Sequence, residues 1–238
     1  MTHMEVQIAV AKINKYAVSE SGDSLEVVER PNGGISVVLA DGQTSGRGAK
    51  AVSLMVVRKV IGLLAEGVRD GAAARAASDA LFTEKQGKVS CTLNIASIDL
   101  LTTTIVLTRN NPAPIAICRN GQVDCISRES IPLGTARDTR PVVNEINIEP
   151  GVIIVMYTDG LVHAGDRRGN RMDACTLIES MLEDQDPSPQ EIADELLAHA
   201  VSLDDGRPAD DISVVVIKVT ARTGDHARRM TVRLPIDE

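Results

Sequence analysis

The order in which strand and helix signals follow one another confines this chain to few folds. Alternating, β-branched runs predict strands at Val6–Ile13, Leu25–Arg30 and Ile35–Ala40. Two helices are expected next. The first runs from a Ser45 cap to about Ala65, with Val52, Met55, Val56, Val60 and Leu63 on one apolar face, and the second covers about Ala72–Gln86. Further strands are predicted at Val89–Asp99, Thr102–Thr108, Ile115–Arg119, Gln122–Ser127, Val142–Ile148 and Val152–Thr158. A second helical block starts near Asp173 and continues over Ser188–Leu203, where Ser188, Pro189 and Glu191 supply a cap, a first-turn proline and a capping box. A last strand is predicted at Ile212–Val219. Asn120-Gly121 is a two-residue hairpin turn, and Pro31-Asn32-Gly33-Gly34 reads as another turn. Strands, helix pair, strands, helix pair, strand is not the alternation that builds a doubly wound parallel sheet. Antiparallel sheets with helices packed outside them are expected.

Hydrophobic residues make up 43% and charged residues 24% of the 238 positions, which suffices for a core and is not a disordered composition. No linker, repeat or low-complexity segment interrupts the chain before Val219, so one domain is expected over 1–220. The remainder, 221–238, reads as a tail or an added edge strand, since Met230, Val232, Leu234 and Ile236 alternate with polar residues. Aromatic content is 1%, too little for a stacking platform that binds single strands. Basic residues number 25 against 33 acidic, a formal charge of −8, the wrong sign for a nucleic-acid backbone. No apolar run is long enough to span a membrane, and Glu5 and Gln7 interrupt any signal-peptide start. Cys91, Cys118, Cys125 and Cys175 form no C-x-x-C pair, and the histidines are scattered, which disfavours structural zinc. Cysteines inside strand runs read as reduced, buried thiols, and that predicts a cytoplasmic protein.

The chemistry concentrates in aspartates at strand ends. Asp41-Gly42 closes one apolar strand and Asp159-Gly160 another; Asp210-Asp211 opens the last strand, and Asp23 follows Ser21-Gly22 just before a strand. Asp-Gly by itself is ordinary turn chemistry. A tight hairpin turn, however, leads straight into a partner strand. Here a small-residue loop and a helix follow Asp41-Gly42, and the polar loop His163–Arg171 follows Asp159-Gly160. Carboxylates gathered at the rim of a buried sheet suit hard divalent cations such as Mg²⁺ or Mn²⁺. The segment after Asp41 lacks the G-K-[ST] ending of a Walker loop. Gly46-Arg47-Gly48-Ala49-Lys50-Ala51 matches G-x-G-x-x-A, but a helix follows where a dinucleotide fold needs a parallel strand. There is no nucleophile elbow and no H-E-x-x-H.

The ordered set Ser21-Gly22-Asp23, Ala40-Asp41-Gly42-Gln43-Thr44-Ser45-Gly46, Tyr157-Thr158-Asp159-Gly160 and Asp210-Asp211-Ile212-Ser213 resembles the PPM family of metal-dependent protein serine/threonine phosphatases. The resemblance is to its bacterial branch, typified by the sporulation phosphatase SpoIIE and the stress-response phosphatase RsbX. Asn110-Asn111-Pro112-Ala113-Pro114, Arg119-Asn120-Gly121 and Ile131-Pro132-Leu133-Gly134 add to it, and it extends over about Val6–Val219.

That resemblance implies an α+β fold, a four-layer αββα sandwich of two antiparallel sheets flanked by helix pairs. It implies two Mn²⁺ or Mg²⁺ ions, with a third in some arrangements. By position, Asp41 would bridge both ions, the Gly42 carbonyl would bind one, and Asp159 and Asp210 would bind the other. Asp23 would hold a metal-bound water, and Asp211 would serve a further ion or its water. Asp41 and Asp159 are the expected catalytic pair; no substrate-binding residue is assigned. The implied reaction is attack of metal-activated water on phosphoserine or phosphothreonine. The implied partners are phosphorylated STAS-domain proteins of the stressosome type, or an anti-anti-sigma factor of that class, met by a monomer that binds neither nucleic acid nor membrane. A non-catalytic binding protein on the same fold is the rival of another class. With its first strand expected by residue 6, the chain reads as a free-standing catalytic domain.

Two departures from the branch pattern stand out. Gln43 and Thr44 replace Met and Gly, and a β-branched Thr44 at positive φ would be strained. Gln43 also cannot act as the general acid that a histidine after the Asp-Gly provides in many eukaryotic-type members. His163 is expected in an exposed loop without a role, and Arg47 and Lys50 at a solvated helix start.

Overall fold

A computed structural model describes residues 4–183, 185–222, 224–233 and 235. Ten strands and five α-helices are formed among them. One sheet contains β1 (Met4–Ile13), β10 (Ile212–Ala221), β9 (Ile153–Tyr157), β6 (Ile115–Arg119) and β7 (Gln122–Ile126), in that spatial order. The other contains β2 (Asp23–Glu29), β3 (Ile35–Gly42), β4 (Cys91–Asp99), β5 (Thr104–Asn110) and β8 (Val142–Asn147). Every pairing is antiparallel. Helices α1 (Gly46–Ala65) and α2 (Asp70–Lys85) cover the second sheet, and α4 (Ala174–Leu182) and α5 (Pro189–Leu203) cover the first. The expected four-layer α+β sandwich is thus formed.

Strand alternation explains the layering. Leu39, Val37 and Val27 join Met156, Ile154, Val215 and Ile217 between the sheets. Val38 and Ala40, one position out of phase, pack on Val52, Val56 and Val60 of α1. Tyr157, Val155 and Val216 pack on Ile192 and Leu196 of α5. The Asn120-Gly121 turn has φ of 52° and 75° at its two residues, the mirror-image turn that suits strand twist. Ser188 and Glu191 complete the capping box of α5, each accepting the other's backbone N–H.

Three expectations change. The loop expected after Asp159 begins instead as a short helix, α3 (Asp159–His163), followed by a 3₁₀ turn at Asp166–Arg168. An acidic residue at the first helical position favours that start. Ser45 occupies the cap position of α1 but makes no capping hydrogen bond there. Cys125 and Cys175 are joined as a disulfide, so only Cys91 and Cys118 are free thiols. Edge strand β7 brings Cys125 against α4, a tertiary contact across 50 residues of chain, and the reduced-thiol argument for the cytoplasm falls with it. Beyond β10 the described residues form no helix or strand; Leu234 and Ile236 lie outside them. Among the described residues no helix is long and apolar enough to cross a membrane.

Candidate metal centre

Asp23 and Asp41 face each other across the β2–β3 ladder. Each is two residues from an inter-sheet leucine, Leu25 and Leu39, so both carboxylates occupy the end of the inter-sheet layer. Asp159 opens α3 directly after β9, and Asp210 precedes β10, the strand paired with β9. Four separate segments therefore deliver Asp23, Asp41, Asp159 and Asp210 to one end of the sandwich. Asp41, Asp159 and Asp210, with Gly42, line one cavity of about 790 Å³, walled by Gln43 and Thr44 on one side and by Pro112 and Pro114 on another.

The electrostatics follow from that crowding. Burial, then the charges of Asp23 and Asp159, push the Asp41 carboxyl up to about 10. Burial pushes Asp23 up to about 6, against the pull of hydrogen bonds from Ser213 and Thr158. Burial also raises Asp210. Cys91, paired with Gly42 in the β3–β4 ladder, is raised well above its ordinary value by burial and by Asp41, so it is no nucleophile.

Asp23 is fully buried. Its Oδ2 accepts from Thr158 Oγ1 at 3.1 Å and Ser213 Oγ at 2.6 Å, joining the two sheets, while Oδ1 has no partner. A buried carboxylate oxygen without a donor is costly unless a cation or its water is to be served. The donor set is all oxygen, the chemistry of Mg²⁺ and Mn²⁺. The residues present fit such ions, although among the described residues no three acidic, imidazole or thiol side chains are gathered tightly enough to ligate one ion as they stand.

Asp211 is placed differently from its neighbours. Its Oδ1 accepts the Lys15 N–H at 2.9 Å and its Oδ2 the Gly22 N–H at 2.8 Å, so the carboxylate holds the β1–β2 loop that leads into Asp23.

The glycines beside the aspartates serve close approach. Neither Gly42 nor Gly160 has positive φ, so neither is a turn glycine. A Cβ at Gly42 would stand 2.1 Å from the Ala49 carbonyl oxygen, and one at Gly160 2.0 Å from that of Asp211. Thr44 does adopt the left-handed region, at φ 79°. Gln43 fastens the loop to the approach of β4: its N–H donates to Ser90 O at 3.0 Å and its Oε1 accepts from Ser90 N–H at 2.8 Å.

Sequence reasoning missed Lys12 and placed Lys50 at a solvated helix start. Both ammonium groups donate to the Asp23 carbonyl oxygen at 2.7 Å, and Lys50 also reaches Ser24 Oγ at 3.0 Å. A position near the end of β1 and one in the first turns of α1 give no hint of this convergence. Thr158 and Ser213 were visible only as motif neighbours of Asp159 and Asp211. Asn111 supports the same end, donating to the Tyr157 carbonyl at 3.1 Å. His163 is exposed and bonds Asp166.

The chain is 26% identical over 219 residues to the stage II sporulation protein E of Priestia megaterium, covering 92% of this chain and 37% of that protein. It is 24% identical over 203 residues to that of Bacillus subtilis (strain 168), covering 85% of this chain and 24% of the other. It thus spans only about a third and a quarter of these curated relatives. The fold superposes on the PP2C phosphatase domain with a fragment of the regulatory domain of SpoIIE from Bacillus subtilis with a TM-score of 0.79, at 22% identity over 93% of this chain and 65% of that one. It also superposes on the catalytic domain of the phosphatase PstP in complex with two manganese ions, with TM-score 0.69, 18% identity, and coverage of 91% and 99%. For RsbX in complex with magnesium the values are 0.67, 17%, 92% and 100%. The family model of stage II sporulation protein E (SpoIIE) matches residues 31–220, from the β2–β3 turn through β10 and so through the segments that carry Asp41, Asp159 and Asp210; the chain belongs to that family.

Proposed function

We propose that this chain is a divalent-metal-dependent phosphatase that hydrolyses phosphoserine and phosphothreonine on proteins. The observation that carries the reading is the convergence of Asp23, Asp41, Asp159 and Asp210 from four segments at one end of the sandwich. Carboxyls crowded in this way ionise more readily when positive charge arrives beside them.

In this reading Asp41, the Gly42 carbonyl, Asp159 and Asp210 would hold two Mn²⁺ or Mg²⁺ ions. Divalent cations, when bound there, make water acidic enough to attack at neutral pH and offset the charge of the phosphoryl oxygens. The protein's residues do the rest. Thr158 and Ser213 hold Asp23 through Oδ2, which would leave its Oδ1 to accept from a water beside bound ions. Lys12 and Lys50 fix the main chain at Asp23, and Asp211 fixes the loop before it. The groove bounded by Pro112, Pro114 and Gln43 admits an extended segment bearing the phosphorylated side chain.

The physiological substrates in this proposal are cytoplasmic STAS-domain proteins of the stressosome or anti-anti-sigma type. Likeness to stage II sporulation protein E and to RsbX supports that class. The test is release of phosphate from p-nitrophenyl phosphate and from a serine-phosphorylated STAS-domain protein, with Mn²⁺ and with excess EDTA. Turnover is expected only with Mn²⁺. Undiminished turnover in chelator, or none under either condition, rejects the reading.

A further inference from the structure

A second cavity of about 490 Å³ opens beside the aspartate groove, between the β1–β2 loop, the 3₁₀ turn after α3 and the loop from α5 to β10. Lys15 lines both cavities. The charge of the second is opposite to that of the aspartate cluster, for Lys15, Arg167, Arg168 and Arg207 line it. In a chain of net charge −8, four cations in one small cleft are a local reversal of sign.

The cleft is built rather than incidental. Its one acid, Asp204, is buried, and both its oxygens are taken: Oδ1 by the Gly165 N–H at 3.0 Å and Oδ2 by the Ala209 N–H at 2.9 Å. Those two bonds fasten together the loops that carry Arg167, Arg168 and Arg207, and they engage the Asp204 oxygens with main-chain N–H groups. Arg207 lies over the Tyr16 ring, 5.3 Å from its centroid. Arg168 pairs with exposed Asp205 at 2.5 Å. Among the described residues the side chains of Lys15 and Arg167 engage no hydrogen bond or ion pair.

We propose that this cleft binds carboxylates of an acidic segment flanking the phosphorylated residue of the protein substrate. The inference rests on the phosphatase reading of the neighbouring groove. Planar guanidinium forks match carboxylates and bind them with charge-assisted bonds. Tyr16 and Pro208 give an apolar wall for the methylene stems of glutamate. Lys15, common to both cavities, makes the path from one to the other continuous for an extended chain. A nucleic acid is disfavoured because the protein as a whole repels a dense polyanion.

The test uses the whole chain with Mn²⁺ and three substrates: p-nitrophenyl phosphate, a phosphoserine peptide flanked on both sides by glutamates, and the same peptide with glutamines. The glutamate peptide should show kcat/KM about tenfold higher than the glutamine peptide, through KM, with the gap closing in high salt. In the double variant Arg167→Ala/Arg207→Ala the gap should fall to within about twofold, while p-nitrophenyl phosphate turnover stays at the parent level. Equal kcat/KM for the two peptides in the parent overturns the proposal, as does a variant that loses both peptides equally. A second arm measures fluorescence anisotropy of an unphosphorylated, labelled glutamate peptide, which requires no catalysis. Binding about tenfold weaker in the double variant supports the cleft even if no substrate turns over, in which case the phosphatase reading alone fails. Binding that is absent, or that the double variant leaves unchanged, or that a single-stranded oligonucleotide displaces more effectively than excess peptide, rejects it.

Discussion

Asp23 stands directly opposite Asp41 in the β2–β3 ladder, two carboxyl groups on the same face of neighbouring antiparallel strands. Cross-strand partners lie roughly 4.5–5.5 Å apart at Cβ, and like charges there are destabilising. Selection for stability alone would not place two acids in register beneath a buried sheet rim. The pair is intelligible as a site whose repulsion is relieved by bound cations.

The first expectation concerns Asp41→Asn. The substitution nearly keeps the shape and removes a buried carboxyl that folding must hold neutral far above its ordinary range, so in EDTA the variant should melt higher than the parent, by a few degrees for each kcal/mol gained. The pH dependence has a defined sign. Asp41 is raised to about 10 in the folded protein, above its unfolded value, so its contribution is fully present at acid pH and is lost as pH rises toward 10. Melts in EDTA at pH 5, 7 and 9 should show parental stability sagging with pH more than the variant's. Mn²⁺-dependent turnover of the variant should fall by at least about 100-fold, since hard cations need the charged oxygen. A variant that melts below the parent and keeps its Mn²⁺-stimulated rate contradicts the metal-ligand assignment.

Asp211 should behave in the opposite way. Its oxygens accept two backbone N–H groups, from Lys15 and Gly22. Asp211→Ala leaves the buried Gly22 N–H and the part-buried Lys15 N–H without partners, a loss of about 2–4 kcal/mol. Thermal melts in EDTA should therefore show a clear drop, where Asp41→Asn shows a rise. Equal, small shifts for the two variants would remove the distinction between a loop-holding and a cation-holding aspartate.

The layers, the strand number and the element order were legible because period-2 and period-3.6 patterns are local consequences of which face is buried. The aspartates were legible because each follows or precedes an apolar strand. What they do individually was not. Asp211 differs from Asp210 only through N–H groups nearly 200 residues away in sequence, and Lys12 and Lys50 meet at a main-chain carbonyl that no spacing rule encodes. The Cys125–Cys175 bond was hidden for the same reason. Gly42 and Gly160 stood out in the sequence only as the partners of Asp41 and Asp159, whereas packing against Ala49 and Asp211, a tertiary contact, is what requires glycine there.

Thr44 offers a test of strain. It sits at φ 79°, a region that costs a β-branched residue about 1–3 kcal/mol. Thr44→Gly should raise stability by about 1 kcal/mol after the greater freedom of glycine in the unfolded chain is deducted. Urea unfolding in EDTA measures this directly. A loss of stability would mean that the Thr44 side chain contributes more than its backbone costs.

The glycines around the metal loop provide the sharpest comparison, because two of them lie six residues apart and should respond with opposite sign. Gly42 ends β3, and a Cβ there would come within 2.1 Å of the Ala49 carbonyl oxygen and 2.8 Å of its carbon. These are backbone atoms of the first turns of α1, so no side-chain rotation relieves the clash. Gly42→Ala must push α1 away from the strand end, at a cost of about 1–3 kcal/mol for overpacking, and shift the carbonyl beside Asp41 as it does so. Gly48 lies within α1 at ordinary φ, and a Cβ there meets nothing within 4 Å. Gly48→Ala removes a flexible residue from a helix and should stabilise by about 0.5–1 kcal/mol. Mn²⁺ affinity, read from the metal dependence of turnover, should weaken in Gly42→Ala and stay at the parental value in Gly48→Ala. Should both alanine variants prove equally stable and bind Mn²⁺ equally well, the close approach of β3 and α1 would have no part in forming the centre, and Asp41 would owe its position to the β2–β3 ladder alone.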